Sequence, residues 1–109
     1  MFPAANPSLA LAPSDWAEVL RILREQVPQL EVWAFGSRAR RTAKPYSDLD
    51  LAIISRQPLS LEQLASIHDA FDTSDLPVRV DIVDWASTSE AFRAAIARDK
   101  VVVQLGAES

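Results

Sequence analysis

From Ser14 onward the apolar residues fall into periods. Trp16, Val19, Leu20, Leu23 and Val27 recur three and four apart, which predicts one helix from a Ser14 cap to about Gln26, ended by Pro28. Leu30 to Phe35 is short and rich in β-forming residues, and it stops at Gly36, so it reads as a strand. Arg38 to Ser47 is polar, basic and interrupted by Pro45, which suggests a loop or a short helical turn, and Asp48 to Ile54 resumes a strand. Ser60 can cap a second helix to about Phe71, with Leu61, Leu64, Ile67, His68 and Phe71 on one face. Val78 to Val83 reads as a third strand. A third helix follows from a cap at Ser87, Thr88 or Ser89 to about Arg98, with Phe92, Ala95 and Ile96 inward, and Val101 to Leu105 can add a closing strand.

The order α-β-β-α-β-α with a terminal strand predicts an α/β (α+β) fold, a small mixed β-sheet flanked by helices. Met1 to Pro13 carries three prolines and no periodicity, so residues 1–13 are expected to be a flexible leader and residues 14–109 a single domain. The chain contains no cysteine and only one histidine, His68, so any metal must sit on oxygen ligands. His68 itself, on the inner stripe of its helix, reads as a partly buried structural residue. A net charge of -4 argues against general nucleic-acid binding. The apolar runs Leu9 to Ala12 and Val101 to Val103 are far too short to cross a membrane, and no signal-peptide pattern opens the chain, so a cytoplasmic location is expected.

Chemistry concentrates between Gly36 and Leu51. Alternation along a strand puts Asp48 and Asp50 on one side, with Leu49 and Leu51 in the opposite, buried layer. Two carboxylates this close repel each other, a cost that a divalent cation between them removes, and Mg²⁺ suits such oxygen ligation when phosphates share it. Gly36 ends the preceding strand, where a missing β-carbon would let a phosphate approach the backbone, and Ser37 adds a hydroxyl. Arg38, Arg40, Arg41 and Lys44 on the connecting segment could neutralise a triphosphate. A third acid would complete a two-metal site. Asp81 is preferred, since it lies mid-strand opposite the apolar face of Val78, Val80 and Ile82, whereas Asp84 ends the strand as an ordinary turn or cap residue. Trp16, Trp33 and Trp85 read as core or rim aromatics, and Tyr46 as a loop residue or a stacking partner for a nucleotide.

The Gly36-Ser37 turn, ten intervening residues and Asp48-Leu49-Asp50 resemble the signature of the DNA polymerase β type nucleotidyltransferase superfamily. The wording of Ala34-Phe35-Gly36-Ser37-Arg38-Ala39, Ser47-Asp48-Leu49-Asp50-Leu51 and Val80-Asp81-Ile82-Val83 resembles the minimal nucleotidyltransferase (MNT) antitoxins, and the likeness covers roughly Trp16 to Leu105. The resemblance implies a polymerase β-like nucleotidyltransferase fold. It also implies Gly36, Ser37 and Arg38 at the nucleotide, with Asp48, Asp50 and Asp81 as catalytic acids and ligands of two Mg²⁺ ions. The implied reaction transfers AMP from ATP to a tyrosine of a partner HEPN-domain ribonuclease toxin. Members commonly carry glycine where this chain has Arg41, which either adds a phosphate contact or alters the turn. Alternatives are a non-catalytic antitoxin that caps the toxin, and a small-molecule nucleotidyltransferase, which usually has a further acceptor-binding domain.

Overall fold

A computed structural model describes residues 11–40 and 47–106. Helix α1 (Pro13–Gln26) leads into strand β1 (Glu31–Phe35), a single-turn helix α2 (Gly36–Ala39) and strand β2 (Leu49–Ile54). Helix α3 (Leu61–Asp72), strand β3 (Val80–Asp84), a 3-10 turn at Trp85–Ser87, helix α4 (Glu90–Asp99) and strand β4 (Val101–Gln104) complete the order. The strands form one mixed sheet in the order β3-β2-β1-β4, with β1 antiparallel to both β2 and β4 and β2 parallel to β3. Parallel neighbours need a long crossover, and α3 supplies it.

Two unlike layers cover the sheet. On one face Val32, Ala34, Leu49, Leu51, Ile53, Val80 and Val103 pack with Trp16, Val19, Ile22 and Leu23 of α1 and Ile67 and Phe71 of α3. This is the main core, and strand alternation aims its residues inward. On the other face Ala52 and Ile96 are buried, Trp33 meets the Trp85 ring edge to face at 5.1 Å, and Phe35 meets Phe92 at 5.8 Å. That layer is thinner, and it leaves the β2 and β3 starts less covered. The buried Gln104 amide donates to Val27 O and Leu30 O, both at 2.9 Å, so the edge strand ties down the chain between α1 and β1.

Several local expectations shift. The N-cap of α1 is Ala12 rather than Ser14, because Pro13 takes the first helical position, where its fixed φ and missing N–H cost nothing. Residues 1–10 of the expected leader lie outside the described residues, whereas Leu11 packs on the core and Pro13 is already helical. On α3, Leu61 is 84% exposed and His68 is exposed too, so His68 is not the partly buried residue its stripe suggested. Of α3 only the narrower stripe of Ile67, Ala70 and Phe71 joins the core, and Leu61, in the first turn, does not. Ser60 and Ser89 cap α3 and α4 by accepting from Gln63 N and Phe92 N. No helix among the described residues is long and apolar enough to cross a membrane.

Asp84 closes β3 as a buried structural acid. It accepts from the Ser55 hydroxyl, from Leu59 N at 2.8 Å and from the Ser87 hydroxyl at 3.0 Å, joining the β2–α3 connection to the turn after β3. Burial alone would push its carboxyl up, but these bonds and one from Ala86 N outweigh it and hold the carboxyl below its ordinary range. Asp84→Ala strands several buried donors and should lower stability by about 3 kcal/mol in urea unfolding at neutral pH. A depressed folded-state pKa contributes stability that is present above the unfolded value and lost as pH falls through the folded one, so the gap between the proteins should narrow in acid. A gap independent of pH would assign the loss to packing instead.

Candidate active site

Three strand ends meet where the acids lie. β1 runs out into Gly36 at the edge of the sheet where β2 begins, and β3, being parallel to β2, begins there as well. The registers pair Phe35 with Asp50 and Asp50 with Asp81. Cross-strand partners share a face, so Phe35, Asp50 and Asp81 form one row across three strands, on the side away from α1 and α3. Asp48 immediately precedes β2, and alternation brings it to the same side. All three acids are partly buried, while Leu49 and Leu51 between and beyond them are wholly buried in the main core.

Gly36 is bound to this row by steric necessity. Its φ of +76° lies in the left-handed region, and a Cβ placed there would overlap the Asp50 carboxylate. The missing side chain therefore makes room for Asp50 itself, a demand that the sequence alone does not reveal. Ser37 follows in the first turn of α2, whose first and last groups are joined by Arg40 N donating to Gly36 O at 3.0 Å.

Electrostatics mark the same place. Burial, then the neighbouring Asp81 and Asp48 carboxylates, push the Asp50 carboxyl above its ordinary range, with Arg40 pulling partly the other way. Arg40 also pairs with Asp99 at the end of α4 at 3.1 Å, and Arg79 lies 3.5 Å from Asp81. These cations border the acids and could turn to a polyanion. Asp84, the rival third acid, is committed to its own buried bonds and lies four register positions from Leu49, at the far end of the β2–β3 ladder. The donor chemistry of Asp48, Asp50 and Asp81 is that of a hard divalent cation, which would relieve the strain on Asp50. Among the described residues no three or more Asp, Glu, His or Cys side chains are gathered closely enough to hold an ion by themselves.

Arg38, expected at the nucleotide, is only 2% exposed and donates from Nε and Nη2 to the Ser47 carbonyl at 3.1 and 2.9 Å, just before Asp48. Arg41, Lys44 and Tyr46 lie outside the described residues. Residues that sequence reasoning passed over are Phe35, in the row with Asp50, and Asp99, which holds Arg40. The signal for Phe35 was its place directly before Gly36, whereas Asp99 is 59 residues from Arg40 and left none. A separate cavity of about 880 Å³ opens at the opposite end of the sheet, lined by Glu31, Ile54, Arg56, Gln63, Trp85 and Arg93 among others, away from the acids.

A raised folded-state pKa means that ionised Asp50 costs stability above that pKa, a cost that fades as pH falls through it toward the unfolded value. Asp50→Asn should therefore raise the thermal midpoint of the metal-free protein near neutral pH. Relief of about 0.5 kcal/mol of like-charge contact corresponds to roughly 2–4 °C. Thermal scans from neutral to acid pH should show the two midpoints converging, and a wild-type midpoint at or above the variant's throughout would dismiss the idea that Asp50 is strained.

Comparison with known proteins agrees with this geometry. Residues 17–104 match the nucleotidyltransferase domain family. The chain is 51% identical over 96 residues, 88% of its length and 84% of the relative's, to a Haemophilus influenzae protein named as a probable protein adenylyltransferase, MntA. Among solved structures, a toxin–antitoxin crystal structure with AMP-PNP superposes at a TM-score of 0.70 with 22% identity, covering 85% of this chain and 75% of the other. A complex of the tri-AMPylated Shewanella oneidensis HEPN toxin with its MNT antitoxin superposes at 0.63 with 18% identity, covering 87% and 73%. The two structural matches speak for the fold, and the sequence matches decide the family. With its Gly36 turn, its acidic row and nearly all its described residues inside the matched span, this chain belongs to the nucleotidyltransferase domain family.

Proposed function

We propose that the chain is an antitoxin that transfers AMP from ATP to a tyrosine hydroxyl of a partner HEPN ribonuclease toxin and so neutralises it, with Mg²⁺ required. The observation that carries this reading is the row in which Asp50 stands between the Gly36 turn and Asp81, in a chain half identical to a protein named as an adenylyltransferase. The related toxin–antitoxin structures with AMP-PNP and with an AMPylated toxin support the choice of nucleotide and acceptor. A cytoplasmic site of action fits an enzyme that disarms a ribonuclease.

Asp48, Asp50 and Asp81 are the residues that would hold Mg²⁺. Bound there, the ions supply positive charge against the triphosphate and lower the proton affinity of the acceptor hydroxyl. The turn at Gly36 and Ser37 would take the phosphates, beside Arg40, whose guanidinium can exchange Asp99 for a phosphate oxygen. The tyrosine oxygen would form its bond to the α-phosphorus as the bond to the departing pyrophosphate breaks, and Asp81, in the row beside Asp50, would take the hydroxyl proton. Such chemistry depends on charge held ready where it develops, which explains why the acids tolerate their mutual repulsion.

Intact-mass measurement of the toxin after incubation with this protein, ATP and Mg²⁺ should show adenylate-sized increments. Asp48→Ala and Asp50→Ala should each slow their appearance by at least ~100-fold while leaving the complex with the toxin intact. Inhibition of the ribonuclease with no mass increase would replace the enzyme with a stoichiometric cap. Labelling of a small hydroxylated acceptor in place of the toxin would point to a small-molecule transferase.

A further inference from the structure

Resting on that reading of the acids, we infer that Arg38 is a positioning residue for the metal-holding carboxylates, acting through the Ser47 carbonyl and not by touching the nucleotide. The guanidinium is buried, and a buried charge persists only when its donors are satisfied. Two of them, Nε and Nη2, converge on one oxygen, Ser47 O, at 3.1 and 2.9 Å. The next residue is Asp48.

Asp48 has no ladder partner of its own, because the β2–β3 pairing begins at Leu49 opposite Val80. On its C-terminal side the backbone is held by Leu49 N donating to Arg79 O at 2.9 Å. On its N-terminal side the Arg38 fork holds the Ser47 carbonyl. Asp48 is thus slung between two anchored residues, one fixed by the sheet and the other by Arg38. Arg38 itself sits in α2, which starts at Gly36 against the Asp50 carboxylate, so a single rigid turn sets both acids of the pair. Arg38 and Ser47 stand nine positions apart in the chain, so the fork joins residues that strand pairing does not hold together.

The geometry demands a planar fork. A lysine keeps the charge but offers a compact ammonium on a flexible stem, which cannot give two parallel N–H groups to one carbonyl. Arg38→Lys should therefore leave the protein folded and loosen Asp48.

The test uses the full chain, with Mn²⁺ as a paramagnetic probe for the Mg²⁺ site. Arg38→Lys is expected to weaken Mn²⁺ binding about 10-fold in an electron paramagnetic resonance titration. AMP-PNP affinity in excess chelator should be unchanged, and the Mg²⁺ concentration that half-saturates AMP transfer to the toxin should rise by a similar factor. Asp48→Asn sets the scale for complete loss of that ligand. Unchanged Mn²⁺ affinity would overturn the proposal, as would a metal-free AMP-PNP affinity that falls as far as the Mn²⁺ affinity, since that pattern belongs to direct phosphate contact. Should the lysine variant not fold, Arg38→Gln, which keeps a neutral amide donor, is read by the same titrations, and failure of both to fold would make Arg38 a residue of the core and nothing more. Wild-type protein that binds Mn²⁺ but transfers no AMP sinks the enzymatic reading while leaving the role of Arg38 to be decided by the variants.

Discussion

The Asp50 carboxylate needs room against the backbone of a residue that can have no side chain, and the layout of the site follows from that contact. Gly36 meets the need, with a left-handed φ and an open flank filled by Asp50. For the two to meet, β1 must run antiparallel to β2 in the register that sets Phe35 opposite Asp50, since a slip of one residue would turn Asp50 into the core. The same face of β2 then decides which residue of β3 faces Asp50, and parallel pairing selects Asp81. One close approach thus fixes the alignment of three strands at one end of the sheet.

The cost of this arrangement is local and electrostatic. Burial, then two neighbouring carboxylates, pushes the partly buried Asp50 up, whereas Asp84, at the end of β3, is held down despite its own burial. The difference is hydrogen bonding: Asp84 accepts from two hydroxyls and from backbone N–H groups, while the acids of the row face one another. Two carboxylates on neighbouring elements thus have opposite physics. Asp84 is satisfied within the fold, whereas the acids of the row lie beside one another at the end of the sheet.

Cover over the sheet is divided in the same spirit. α1 and α3 seal one face with an apolar core, while α4, through Ile96 and Phe92, and the turn before it, through Trp85, cover only part of the other. Lys100 lies 4.1 Å from the centre of the Trp33 ring, and Arg40 reaches Asp99, so the end of α4 borders the acidic row without capping it. Partial cover leaves the acidic row partly exposed, while the buried leucines behind the acids hold their strand in place.

Period and punctuation along the chain were enough for most of the elements: alternation through Leu49, Asp50 and Leu51, the helical stripes of α1 and α3, and the serine caps at Ser60 and Ser89 are local physics that a sequence writes openly. The spacing from Gly36 and Ser37 to Asp48 and Asp50 likewise picked out residues that the fold brings to one end of the sheet, and the mid-strand place of Asp81 pointed to the acid that pairs with Asp50. Local pattern could not show how far each helix face would meet the sheet, so Leu61 and His68 were assigned inward and lie exposed. Nor could it assign the basic residues of the loop, because a guanidinium reads the same whether it awaits a phosphate or grips a carbonyl. Only the folded chain brings Arg38 to Ser47, Arg40 to Asp99 and Gly36 to Asp50, since those pairings depend on strand register and on contacts between residues remote in sequence, which no local periodicity encodes.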